Sequence, residues 1–262
     1  MRPHVFRRGS ISLLSILLVG SVLRQASATA LVAVKTPTEV VIGADSLAII
    51  SFPGSGPRRI PFCKIRRIGS IVFALSSNLD QLAATDFYEF SIAEQAVSSS
   101  HSVAQAVDAF AARIQGPLHR ALVASRKSAP DAYRRVIESG QALTIIFAGY
   151  EKSMPVACSL TYLVEPDAKL TLHTDRSYSC HPNRKSEVFF SAPTDAMVRN
   201  FKSNPDSFKR TPVAESIRNY ISIAIAEKPD LVGPPIVIIR IDKSGIHWVD
   251  MGACAGFDLQ NP

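Results

Sequence analysis

The sequence lacks the short motifs that mark the common hydrolases and nucleotide-binding enzymes. It contains no Gly-x-Ser-x-Gly, no Gly-x-x-x-x-Gly-Lys and no His-Glu-x-x-His. These absences exclude a nucleophile elbow, a phosphate-binding loop and a zinc-protease helix of the usual kinds. Any catalytic chemistry must therefore come from residues that such motifs do not describe.

Metal-ligand spacings are missing as well. The six histidines occur singly, with no pair four residues apart, and no Cys-x-x-Cys is present. Cys180-His181 alone is too little for a zinc site, which needs three or four ligands. We therefore predict no metal site and no cofactor.

Long apolar runs are absent after the first 28 residues. Residues 11–22 are apolar, three arginines lie in the first eight residues, and the small residues Ala26-Ser-Ala28 follow. A positive start, a short apolar segment and a small-residue cleavage site are typical of a secretory signal peptide. We predict that residues 1–28 are such a signal, giving a secreted or periplasmic protein with no stable membrane insertion after processing.

The cleavage position has two readings. Ala26-Ser-Ala28 satisfies the small-residue rule for a cut before Thr29, and Ala28-Thr-Ala30 satisfies it for a cut before Leu31. The first cut makes Thr29 the chain terminus, whereas the second removes it.

An excess of positive charge is largely confined to this leader. The whole chain carries +7, but four of its 29 basic residues precede Thr29, which leaves 25 against 22 acidic residues. A net charge of +3 gives no reason to expect a nucleic-acid partner.

The four cysteines are Cys63, Cys158, Cys180 and Cys254. In an exported protein they meet an oxidising compartment, so we expect one or two disulfides or buried thiols. The sequence leaves the pairing open.

Residues 29–262 form one predicted domain. Its 47% hydrophobic content supports one sizeable core, and no repeat is present. The predicted strands are 29–34, 39–44, 63–68, 70–75, 142–148, 156–164, 169–173, 187–191, 236–241 and 245–249; the predicted helices are 80–98, 102–125, 194–201 and 213–227, with a short helical piece at 132–138. Strands and helices segregate, which predicts an α+β sandwich of stacked antiparallel sheets covered by helices.

Thr29 is the strongest candidate nucleophile. An internal threonine lacks a base, but an N-terminal threonine carries its own α-amine, whose ordinary pKa is about 7.7–8.0. A base positioned in this way typically contributes roughly 10² to 10⁴ in rate.

The segment from Thr29-Ala-Leu-Val-Ala-Val to Val-Val-Ile-Gly-Ala-Asp45-Ser46 places Asp45 sixteen residues after Thr29, and Lys64 opens a later apolar-basic strand. This pattern resembles the proteasome-type N-terminal-nucleophile threonine peptidases, the family of the proteasome β subunits, in an exported form. The resemblance covers nearly all of the chain after the leader. It implies the four-layer αββα sandwich of the Ntn hydrolases, cleavage of a peptide or related amide substrate, and a possible homo-oligomer.

The resemblance also implies roles for individual residues. Thr29 would be nucleophile and, through its amine, base. Lys64 would lower the pKa of that amine, and Asp45 would hold Lys64 in place. The backbone N–H of Ser76 would contribute to the oxyanion hole, and Asp230 would support the Thr29 amine.

Two positions depart from the family pattern. Gly233 stands where the family has a serine after Asp230, and Ala192 lies in a segment where the family has a supporting serine. Ser191 replaces that serine only if the register shifts by one residue. The alternative hypothesis is therefore a catalytically inactive, proteasome-like scaffold or assembly subunit.

Overall fold

A computed structural model describes residues 29–50, 58–79, 88–165, 170–177, 180–191 and 193–255. The strands are β1 Leu31–Lys35, β2 Glu39–Asp45, β3 Leu47–Ile50, β4 Arg58–Pro61, β5 Ile65–Ile68, β6 Ile71–Ser77, β7 Gln141–Glu151, β8 Met154–Val164, β9 Leu172–Ser177, β10 Glu187–Ser191, β11 Ile236–Asp242 and β12 Gly245–Asp250. The helices are α1 Glu89–Ser98, α2 Val103–Ser128, α3 Pro130–Ser139, α4 Asp195–Ser203, α5 Ser207–Arg210 and α6 Val213–Glu227, and a short 3-10 turn at Gly252–Cys254 follows β12.

Ten of these strands form two antiparallel sheets. The first sheet has the order β10-β1-β2-β11-β12, and the second has the order β5-β6-β7-β8-β9. The remaining strands, β3 and β4, pair as a separate two-stranded ribbon. In the first sheet the hairpin β1–β2 therefore lies between strands from the far end of the chain.

The two sheets stack face to face through apolar side chains that their central strands present at alternate residues. Along β1, Leu31 and Ala33 belong to the core between the sheets, whereas Val32 and Val34 belong to a core on the opposite face. Val72 and Ile146 contribute the second sheet's half of the central core. This period of two is what a strand buried on both faces requires.

Helices cover both outer faces. Phe110 and Ile114 of α2 pack in one core with Phe73 and Phe147 of the second sheet. Ile217, Tyr220 and Ile221 of α6 pack in another core with β1 and β2. The layers are thus helix, sheet, sheet and helix, and the predicted αββα sandwich is confirmed.

Several boundaries differ from the sequence prediction. The first helix begins at Glu89 in the structure, and the first part of the predicted range, 80–87, lies outside the described residues. The second helix continues through Pro117 to Ser128. The ribbon β3–β4 and the single-turn helix α5 were not predicted, because segments of four residues show no period that distinguishes them from loops.

All four cysteines form disulfides. Cys63 pairs with Cys254, with a Cα–Cα distance of 4.8 Å, and Cys158 pairs with Cys180, with a Cα–Cα distance of 4.7 Å. Both distances fall within the usual range for a disulfide. The structure thereby resolves the pairing that the sequence left open.

Within the described ranges, every helix is too short or too polar to span a bilayer.

Gly43 allows α6 to approach the first sheet closely. A Cβ atom added at Gly43 would lie 2.3 Å from Cγ2 of Ile217 and 3.1 Å from Cδ1 of Ile221. We expect Gly43→Ala to lower the free energy of unfolding by about 1–3 kcal/mol, because such overpacking displaces the helix. Urea unfolding should show most of this loss disappearing in an Ile217→Ala background, where the clashing atom is gone. Additive effects of the two substitutions would contradict the close contact.

Candidate active site

Hairpin register brings Thr29 to Asp45. In the β1–β2 ladder Leu31 lies opposite Ala44, so the next residues outward, Ala30 and Asp45, also face each other. The Asp45 N–H donates to the carbonyl oxygen of Ala30 at 3.1 Å, and the Ala30 N–H donates to Asp45 Oδ1 at 2.9 Å. The two strands of the hairpin therefore bring Thr29, sixteen residues before Asp45 in the sequence, next to the residue that faces Asp45.

Lys64 reaches this pair from the second sheet, where it directly precedes β5. Its Nζ donates to Asp45 Oδ1 at 2.8 Å and to Thr29 Oγ1 at 3.0 Å. Thr29 is 4% exposed, Asp45 is 0% exposed and Lys64 is 5% exposed. The structure thus brings the sequence-predicted Thr29, Asp45 and Lys64 into one buried cluster.

The Asp45 carboxylate is held by four donors. Besides Lys64 and the Ala30 N–H, it accepts hydrogen bonds through Oδ2 from the backbone N–H groups of Leu47 and Gly233, each at 3.1 Å. Backbone donors of this kind stabilise the ionised carboxylate and fix its orientation. Asp45 is therefore a rigid anchor for the Lys64 ammonium.

Burial lowers the pKa of Lys64 from its ordinary value, and the charge and hydrogen bond of Asp45 oppose that shift. Removing an ammonium from water penalises its charged form, whereas a carboxylate at 2.8 Å favours it. The Lys64 proton is consequently more easily released than that of an exposed lysine. Thr29 Oγ1 lies next to this proton.

Ser76 is buried on β6, opposite Thr144 of β7. Two residues further on, the Asn78 N–H donates to the Ala142 carbonyl oxygen at 3.0 Å across the same pair of strands. Because N–H directions alternate along an antiparallel strand, the Ser76 N–H also points to β7. The structure therefore places the N–H of the predicted oxyanion donor in the β6–β7 ladder.

The adjacent N–H has the opposite direction. The Leu75 N–H donates to the Lys64 carbonyl oxygen at 3.0 Å, so odd-numbered residues here present their N–H to the β5 side. The N–H of Ser77 follows this alternation and lies beyond the first residue of β5, on the side from which Lys64 arrives. The direction of the Ser77 N–H depends on strand register, which the sequence alone does not establish.

Asp230 is not part of the buried cluster. Its side chain is 83% exposed, and its Oδ1 lies 2.6 Å from an Arg59 nitrogen. Gly233, three residues later, instead supplies backbone contacts: its N–H donates to Asp45, and its carbonyl oxygen accepts from the Ser46 N–H at 3.0 Å. The cluster of Thr29, Asp45 and Lys64 is thus contacted by the main chain of Gly233, whereas the family resemblance implied that the side chain of Asp230 would support it.

A side chain at Gly233 would crowd Leu47 of β3. An added Cβ would lie 3.2 Å from Leu47 Cβ, which is tighter than an ordinary contact. The departure from serine at this position therefore accompanies a close approach of the chain to β3. A Gly-Pro-Pro sequence was the available signal for a backbone contact here.

Ser191 lies opposite Leu31 in the β10–β1 ladder. Its hydroxyl accepts from Gln141 Nε2 at 3.4 Å, and the same amide donates to Thr144 Oγ1 at 2.9 Å. Ser191 therefore joins a polar group between the sheets. Ala192, the other departure, lies outside the described residues.

Among the described residues, no three histidine, cysteine, aspartate or glutamate side chains are arranged to hold a metal ion.

Glu89 is a buried acid beside Ser77, the last residue of β6. It is 3% exposed, and its Oε2 has no hydrogen-bond partner within the part of the chain that the structure describes. Burial raises the pKa of Glu89 to about 7, against hydrogen bonds from its own backbone N–H and from Ser77. In the folded protein the carboxyl group of Glu89 therefore stays protonated up to a pH of about 7.

This pKa gives an expected dependence of stability on pH. Between about 4.5, its unfolded pKa, and about 7, folded Glu89 keeps a proton that the unfolded chain releases. The free energy of unfolding should therefore fall as pH rises through this window, by at most about 3 kcal/mol. Urea unfolding at pH 5 and pH 8 should show a smaller fall in Glu89→Gln. The control Glu94→Gln, on the same helix, should retain the fall, and equal slopes in both variants would contradict the assignment.

No known protein-family profile matches this chain, and no curated protein matches it in sequence. Its fold overlaps with solved structures of low sequence identity. One is the Anbu (Gly-1) mutant from Hyphomicrobium sp. strain MC1, at 12% identity and a TM-score of 0.46, covering 85% of each chain. Another is the eukaryotic HslV from Trypanosoma brucei, at 12% identity and a TM-score of 0.41, covering 81% of this chain and 99% of that one.

Proposed function

We propose that this protein is an exported threonine-dependent hydrolase that cleaves peptide or related amide bonds. The observation that carries the proposal is the buried contact of Lys64 Nζ with both Thr29 Oγ1 and Asp45 Oδ1. A buried lysine held between a hydroxyl and an anchored carboxylate is expensive to maintain for stability alone. It is well suited to polarise a nucleophile.

The reaction proceeds through an ester on Thr29. After removal of residues 1–28, the free α-amine takes the hydroxyl proton, and Oγ1 attacks the carbonyl carbon of the substrate. The tetrahedral intermediate collapses when the protonated amine gives its proton to the leaving nitrogen. Water, deprotonated by the same amine, then hydrolyses the acyl-enzyme. The Lys64 ammonium lowers the pKa of the amine and keeps it neutral near pH 7.

The negative oxygen of the tetrahedral intermediate needs a donor on the Lys64 side of β6. The direction of the β6–β7 ladder supports the N–H of Ser77 in this role, in place of that of Ser76. A main-chain donor at an oxyanion typically contributes about 10²–10³ in rate.

Cleavage before Thr29 is the processing step that fits this site. A cut before Leu31 would discard both Thr29 and the Ala30 N–H that donates to Asp45 at 2.9 Å. The apolar leader and the two disulfides support export to an oxidising compartment, secreted or periplasmic. Terminal sequencing of the secreted protein distinguishes the two cuts.

Thr29→Ala tests the nucleophile. We expect hydrolysis of a fluorogenic peptide and amide panel to fall at least about 10³-fold, because no other hydroxyl carries its own amine. Mass spectrometry should find a β-lactone adduct on the first residue of the wild-type chain and none in the variant. Thr38→Ala, in the turn of the same hairpin, should keep full activity. Turnover or labelling that survives Thr29→Ala would sink the proposal.

An inactive scaffold is the second candidate. It is favoured by the surface ion pair of Asp230 and by the absence of a hydroxyl at Gly233. A correctly processed protein that neither reacts with the probe nor hydrolyses any substrate would support it. The family resemblance also leads us to propose a homo-oligomer, which light scattering of the processed protein tests directly.

A further inference from the structure

The Cys63–Cys254 disulfide lies one residue from Lys64. Cys63 belongs to the segment that leads into β5, an edge strand of the second sheet, and Cys254 belongs to the turn that follows β12, an edge strand of the first sheet. Both cysteines are fully buried in the core between the sheets. The bond is therefore a covalent link between the two sheets along one edge of the sandwich.

The chain around Cys63 crosses from one sheet to the other. Before it, the Phe62 N–H donates to the Ser46 carbonyl oxygen, at the end of β2, at 2.7 Å. After it, the Lys64 carbonyl oxygen accepts from the Leu75 N–H of β6 at 3.0 Å. The main chain of Lys64 is thus attached to the second sheet, whereas its ammonium contacts Thr29 and Asp45 of the first sheet.

The distance between the sheets consequently sets the position of Nζ. We propose that the Cys63–Cys254 disulfide is a positioning element of the active site, which holds Lys64 at hydrogen-bonding distance from Thr29 and Asp45. This inference rests on the proposed function, since it assigns the disulfide a role in that reaction. The link acts where β5 has one neighbour in its sheet and is least restrained by other strands.

The second disulfide provides a matched comparison. Cys158 lies on β8, and both Cys158 and Cys180 belong to the core between the second sheet and the helices. This bond closes a separation of 22 residues within one half of the molecule, whereas Cys63–Cys254 closes 191 residues between both halves. Removing it should affect stability without moving Lys64.

The test compares two double variants, each assayed under conditions in which that variant is folded. We expect Cys63→Ala/Cys254→Ala to lower kcat about 10- to 100-fold with KM changed less than threefold, because small displacements of a catalytic group have effects of this size. The acidic limb of the pH–rate profile should move to higher pH, since a more distant ammonium no longer lowers the pKa of the Thr29 amine. Cys158→Ala/Cys180→Ala should keep kcat within threefold and the limb unmoved.

A readout independent of turnover separates this inference from the proposed function. The side-chain nitrogen resonance of Lys64, identified by its loss in Lys64→Met, should shift toward that of exposed lysines when Cys63–Cys254 is removed. A shift without any wild-type turnover would leave the positioning role standing and refute the hydrolase. Turnover and a Lys64 resonance that both match the Cys158/Cys180 control would overturn the positioning role.

If the double alanine variant does not fold, Cys63→Ala/Cys254→Val refills part of the space left by the sulfur atoms while still lacking the bond. The same changes in kcat, pH–rate limb and Lys64 resonance are expected for it. Wild-type values in this variant would equally overturn the inference.

Discussion

Lys64→Met should reduce hydrolysis at least about 10³-fold while leaving a folded protein. Methionine keeps much of the apolar stem but removes the ammonium that donates to Thr29 Oγ1 and Asp45 Oδ1. The hydroxyl then loses its polarising charge, and the Thr29 amine loses the cation that lowers its pKa. Steady-state kinetics should show the loss in kcat, with KM little changed.

Lys35→Met is the matched control, because Lys35, the last residue of β1, is a second buried lysine. Its Nζ donates to Asn183 Oδ1 and to the Lys185 carbonyl oxygen, each at 2.7 Å, and it lies 3.7 Å from Glu187 Oε2. These partners are at the opposite end of β1 from Thr29. Its removal should lower stability but not the kcat of the folded fraction. Comparable loss of kcat in both variants would show that the Lys64 effect is one of folding.

Asp45→Ala should have the largest effect on stability. The substitution leaves the Lys64 ammonium and the N–H groups of Ala30, Leu47 and Gly233 without their buried acceptor. Breaking a buried ion pair on one side typically costs about 3–5 kcal/mol. Urea unfolding should therefore show a loss of this size, accompanied by loss of activity in whatever fraction remains folded.

Asp230→Ala is the contrasting substitution. Because Asp230 pairs with Arg59 at the surface, its removal should change neither stability nor kcat appreciably. A large loss of kcat would instead restore the role that the family resemblance implied for this residue. Comparison of Asp45→Ala with Asp230→Ala therefore distinguishes the effect of removing a buried carboxylate from that of removing an exposed one.

The sequence predicted what short-range pattern determines. Two short β-rich runs at 29–34 and 39–44, joined by a turn that contains Pro37, indicated a hairpin, and the register of that hairpin brings Ala30 opposite Asp45 and Thr29 next to it. The segregated order of strands and helices likewise predicted stacked antiparallel sheets covered by helices, and the family resemblance implied the four layers. These features follow from local periodicity and chain length, which are legible in one sequence.

Features that depend on register or long-range pairing were beyond it. The N–H of Ser76 points to β7 because of its register in the β6–β7 ladder, which the sequence alone does not establish. The pairing of Cys63 with Cys254 depends on two sheet edges meeting after 191 residues. Asp230 occupies the expected sequence position, but its side chain is exposed and pairs with Arg59 of β4.

The place of the hairpin β1–β2 has a consequence for when the chain becomes reactive. Thr29 and Asp45 arrive with a hairpin that inserts between β10 and β11, and Lys64 arrives with the other sheet. The three groups meet only after strands from both ends of the chain have paired and the two sheets have stacked. Under the proposed function, a partly folded chain would therefore lack the charged neighbour of Thr29 and stay unreactive until the two sheets have stacked.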